Sequence, residues 1–121
     1  MIQNFNGGLL NNYSTEEQVI GTWIDGKPIY RVVKHKDNVS ISSDTSFAIP
    51  NDLLPDNVGI IETLVNNVVA LKGYGSDRYI IRTYFNIYKN NSDEWRALAT
   101  YGFGGTSRTL IIVWEYTKTT D

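Results

Sequence analysis

The sequence predicts an all-β domain, an antiparallel β-sandwich of jelly-roll type with about seven to nine strands. Three observations predict it. The chain holds 8 Tyr, 3 Trp and 4 Phe beside abundant Val, Ile and Thr, and these residues suit a pleated, half-buried surface. Gly and Asn cluster between apolar stretches about every 8 to 15 residues, the spacing of strands joined by turns. Ala is scarce and no strand–helix–strand rhythm appears, which argues against helical bundles and parallel α/β sheets.

Taken in order, residues 1–12 read as a lead-in, with Gly7, Gly8 and Asn residues but no sustained period. In "YSTEEQ", Ser14 or Thr15 is placed to cap one helical turn at most, with Glu17 or Gln18 closing a capping box. "VIGTWI" and "IYRVVKH" are strand-like, and "DGKP" between them is a hairpin signal. In the second arm Ile29, Arg31, Val33 and His35 share one face, and Tyr30, Val32 and Lys34 share the other. "KDN" at 36–38 is the next expected turn. "VSISS" and "TSFAIP" are short strands broken at Asp44, and "PNDLLPDN" is a loop with two prolines. In "VGIIETLVNNVVAL", β-branched residues and Asn66-Asn67 favour a strand pair or a long kinked strand over a helix. "KGYGSD" is a turn, "RYIIRTYFNIYK" a strand, "NNSD" a turn, "EWRALATYGF" a strand and "GGTS" a turn. "RTLIIVWEYTK" is the last strand, with Leu110, Ile112, Trp114 and Tyr116 on one face and Trp114 in the core.

At 121 residues the chain suits one domain, expected over 13–121. With no cysteine it has neither disulfides nor a thiolate metal site. Net charge is -2 with mixed signs, so the basic stripe of a nucleic-acid binder is missing. The apolar run from Leu110 to Trp114 is too short to span a bilayer as a helix, and polar Gln3, Asn4 and Asn6 after Met1 do not suit a signal peptide.

Chemistry-bearing patterns are sparse. Asp25 and Lys27 flank a glycine, but catalysis would need a second carboxylate, a base or a metal set nearby in sequence. The turn reading is mechanistic: Gly26 supplies a positive φ, Asp25 bonds nearby backbone N–H groups, and Pro28 fixes φ at the loop's end. His35 is the single histidine, and it sits between Lys34 and Lys36. Ser40, Ser42 and Ser43 follow it without a G-x-S-x-G elbow. "GFGG" lacks the Lys-Ser/Thr of a phosphate loop. No catalytic residue, metal ligand or cofactor is expected, and the chain is not expected to be an enzyme. A small glycan-degrading enzyme is the least favoured reading. Aromatic residues at turns carry the open binding signal, because ring faces stack on sugar C–H patches while polar neighbours take hydroxyls. The candidates are Tyr74, with Asp77 and Arg78, and Trp95, with Arg96, Tyr101 and Arg108. Packing in the core or an interface is the competing role of these rings.

The segment "NNYSTEEQVIGTWIDGKPIYRVV" resembles a recurrent segment of bacteriophage and prophage tail-fibre, baseplate and minor structural proteins. The match is close from Tyr13 to Arg31. Elsewhere it is loose, ending in "IIVWEYTK". The resemblance implies a virion tail protein made in the bacterial cytoplasm, commonly a homotrimer. Its implied partners are other tail proteins and a host receptor such as a cell-surface carbohydrate. The alternative it leaves is a structural module that trimerises or caps a fibre or baseplate without a ligand. It brings no catalytic residues.

Overall fold

A computed structural model describes residues 13–41, 46–72, 80–83, 85–99 and 105–121. For residues 41, 67–72, 80–83, 85, 99 and 105–108 it describes the backbone alone. The described strands are β1 (Gln18–Thr22), β2 (Pro28–Ile41), β3 (Ser46–Ala48), β4 (Ile61–Lys72), β5 (Ile80–Thr83), β6 (Phe85–Lys89), β7 (Trp95–Ala99) and β8 (Gly105–Lys118). They form two antiparallel sheets, ordered β1-β2-β8-β4-β5 and β3-β7-β6. This is the all-β, sandwich-type architecture that the strand-favouring composition predicts. A single 3-10 turn, Asn51–Leu53, occupies the proline-bearing loop, and a second, Val58–Ile60, follows it where strand was expected, directly before β4. Among the described residues no helix is long and apolar enough to cross a membrane.

The chain forms two compact units. One holds the described residues through Val33 with Pro55–Asn67 and Val113–Asp121; the other holds those of Lys34–Leu54 and Val68–Ile112. In the first, Val32, Trp114, Tyr116 and Thr117 are buried, and Trp114 is 0% exposed. In the second, Val39, Ile49, Leu53, Ala97, Leu110 and Ile112 are buried. The expected face of the last strand, Leu110, Ile112, Trp114 and Tyr116, is the buried one, because successive side chains on a strand alternate sides.

Four local expectations give way to different structure. Ser14 caps no helical turn: its Oγ accepts the Glu16 N–H at 3.0 Å, and the chain bends at Thr15 and Glu16. The expected turn at 36–38 is continuous strand. Asn38 takes φ 58° within β2, a conformation Asn tolerates better than most residues. "RYIIRTYFNIYK" is two strands in two sheets, β5 against β4 and β6 against β7. In place of the expected "GGTS" turn, β8 begins at Gly105. The stretch around Asn66-Asn67 is one continuous strand, β4.

Candidate functional site

The "WIDGKP" stretch is a hairpin loop. Trp23 N–H donates to Lys27 O at 2.8 Å, and Gly26 N–H donates to Trp23 O at 2.9 Å. Gly26 holds φ 89°, and Asp25 Oδ1 accepts the Lys27 N–H at 3.0 Å. This is a three-residue loop closed by a glycine in the left-handed region, and Pro28 opens β2 directly after it. Asp25 and Gly26 are thus engaged in turning the chain, while Pro28 already stands in β2, paired with Thr22.

The two stretches that carry the tail-protein resemblance meet in the first unit. Tyr116 hydroxyl donates to Glu17, and Lys118 Nζ reaches Glu17 Oε1 at 2.6 Å. Tyr30 and Tyr116 stack at 6.1 Å between centroids, and Lys118 Nζ lies 3.9 Å above the Tyr30 ring. Tyr30 hydroxyl donates to Asp121 Oδ2 at 2.7 Å. Lys27 Nζ pairs with Glu62 and donates to Lys118 O at 3.3 Å. Burial pushes the Glu17 carboxyl up, but hydrogen bonds from Lys118 and Tyr116 and the Lys118 charge outweigh it, so the net shift is down. Tyr116 moves the other way: burial first, then the bond to Glu17, holds its hydroxyl protonated well above the ordinary tyrosine range.

Of the ligand residues expected from sequence, Tyr74 and Tyr101 lie outside the described residues, and Arg108 is described by its backbone in β8 alone. Trp95 is described. It is half-buried and shares its side of β7 with Ala97, which is 1% exposed. Arg96, its neighbour, therefore projects from the opposite side, so Trp95 and Arg96 do not converge on one ligand. On that opposite side the register sets Ala48 and Tyr88 beside Arg96, and Ser46 and Asn86 beside Leu98. Ala48, Asn86 and Leu98 are exposed. Arg96 is held rigid: Nε donates to Ser46 Oγ at 3.1 Å, Nη2 to Ser46 O at 2.9 Å and Nη1 to Glu94 Oε1 at 2.8 Å. The adjoining turn is shaped by Asn90, whose Oδ1 accepts the N–H groups of Ser92 and Glu94 at 3.0 and 2.9 Å.

This face offers a tyrosine ring, a fixed guanidinium and short polar groups on neighbouring strands, groups of the kind that stack on rings and bond hydroxyls. Sequence reasoning missed Tyr88, Ser46 and Asn86. Alternation within "FNIYK" pairs Asn86 with Tyr88, but its match to Arg96 needs the β6–β7 register. His35 is exposed on β2, and among the described residues no three His, Cys, Asp or Glu side chains stand together as a metal site. No protein-family description, curated protein or solved structure matches the chain.

Proposed function

We propose that the chain is a domain of a phage or prophage tail protein that binds a carbohydrate of the host cell surface. One observation carries this reading. The segment running from "YSTEEQ" through "WIDGKPIY" and the distant "EYTK" interlock through Glu17, Tyr30, Tyr116 and Lys118. The resemblance therefore rests on one physical frame, and the frame's polar groups are spent on each other. On this reading recognition uses a different surface, the side of β3, β7 and β6 that carries the Tyr88 ring and the exposed Asn86, with Arg96 and Ser46 tied to each other beside them. A single sugar contact of millimolar strength corresponds to about 4 kcal/mol, and three linked sites on one fibre would multiply it a hundredfold or more.

A structural trimerising or capping role is the second reading. It is favoured by β1, which ends the order of its sheet and leaves Val19 61% and nearby Ile24 91% exposed. An edge strand with uncovered apolar side chains is suited to meeting another chain. Adsorption of the domain to host cells separates the readings. Binding that Tyr88→Ala or Arg96→Ala lowers, at unchanged melting temperature for Tyr88→Ala, supports the first. A trimer that never adsorbs to cells supports the second.

A further inference from the structure

On the side of β2 and β8 opposite Tyr30 and Tyr116, a polar row crosses four neighbouring strands. Gln18 of β1 stands in register with Arg31 of β2. Arg31 Nε donates to Glu115 Oε2 of β8 at 2.8 Å, and Asn66 Nδ2 of β4 donates to Glu115 Oε1 at 3.4 Å. The Arg31 and Glu115 side chains are only 11% and 13% exposed. Above the row, the Tyr13 ring lies 4.4 Å from the Arg31 guanidinium, and Tyr13 itself is 60% exposed.

The row is neutral but short of donors. The charge of Arg31 is matched by Glu115. Gln18 Oε1 is buried with no hydrogen-bond partner. Tyr13 and Asn66, on either side of this row, are both exposed to solvent. Buried polar groups in native proteins are nearly always satisfied, so the orphan Gln18 oxygen in this row, beside the exposed Tyr13 and Asn66, invites a ligand with hydroxyl donors.

We infer that this row is a second binding site, for a neutral sugar. The ring face of Tyr13 turned away from Arg31 stacks on a pyranose C–H face, while Asn66 Oδ1 and Glu115 accept hydroxyl protons. From β2 to β4 is two strand spacings, about 10 Å, which suits two linked sugar rings. An acidic sugar is excluded, because Arg31 is already committed and Glu115 would repel a second carboxylate. The site rests on the carbohydrate reading of the domain for its biological setting, but not for its chemistry.

The test is an NMR titration of the whole labelled chain with maltose, cellobiose and chitobiose, and with cellobiouronic acid as the acidic counterpart. At least one neutral disaccharide should shift the Tyr13 ring and Asn66 side-chain amide signals, and cellobiouronic acid should leave them in place. Tyr13→Ala and Asn66→Ala should each weaken that binding tenfold or more. Asn66→Ala, at an exposed position, serves if the Tyr13 variant fails to fold. The site is overturned if no neutral disaccharide moves these signals, if the acid moves them equally, or if the shifts gather around Tyr88 and Arg96. In that last case the receptor reading survives without this site. Failure of the domain to adsorb to host cells bears on the receptor reading alone, since the titration still decides the row.

Discussion

Replacing Gly26 with alanine isolates a single physical quantity. A Cβ built at Gly26 meets nothing within 4 Å, so no side-chain clash accompanies the change. What remains is the left-handed backbone, φ 89°, which costs an L-residue about 1–2 kcal/mol. Alanine also narrows the unfolded ensemble, which offsets about 0.4–1 kcal/mol of that cost. The expected net loss is roughly 1 kcal/mol, or about 3–5 °C in melting temperature for a chain of this size. Gly21 provides the control in the same hairpin: its Cβ would also be unobstructed, and its φ lies outside the left-handed region. Gly21→Ala should therefore be neutral or slightly stabilising. Gly26→Asn should lose less than Gly26→Ala, since Asn visits this region more readily, and β-branched Gly26→Val should lose more. Urea denaturation at constant m-value measures all four. If Gly26→Ala is as stable as the parent, or if it and Gly21→Ala shift alike, positive φ is not what the loop requires.

Trp114→Ala should cost about 3–5 kcal/mol, because the ring is fully buried and its removal leaves a cavity; a loss under 1 kcal/mol in denaturant titration contradicts that core. Glu17 has its carboxyl pKa depressed below 4.5, so its contribution is present above 4.5 and fades as pH falls through the lowered value. Glu17→Gln should lose stability at neutral pH and flatten the acid limb of a melting-temperature profile, and an unchanged acid limb speaks against the link to Lys118 and Tyr116. Tyr116 has its pKa raised above 10.0, so its contribution is present below 10.0 and is lost as pH rises beyond it; Tyr116→Phe should melt less steeply in alkali. If the tail reading holds, light scattering should give about three times 13.7 kDa, and a monomer at high concentration counts against a trimer formed by this chain alone.

The all-β class and the Asp25-Gly26 turn were legible in the sequence, because they depend on each residue's own sterics. β-branched and aromatic residues suit the pleat wherever they sit, and glycine accepts a positive φ whatever surrounds it. The buried face of β8 was legible for a similar reason: alternation along one strand needs no knowledge of its neighbours. The tertiary structure alone decided the rest. It divided "RYIIRTYFNIYK" between two sheets, carried β2 straight through Lys36 and Asn38, and turned Glu17 from a helix cap into the partner of Tyr116 and Lys118. It also matched Tyr88 to Arg96 and aligned Gln18, Arg31, Glu115 and Asn66 across four strands. Those outcomes turn on register between strands far apart in the chain. A one-residue slip in pairing would send each of these side chains to the other face, and no local pattern records which register forms.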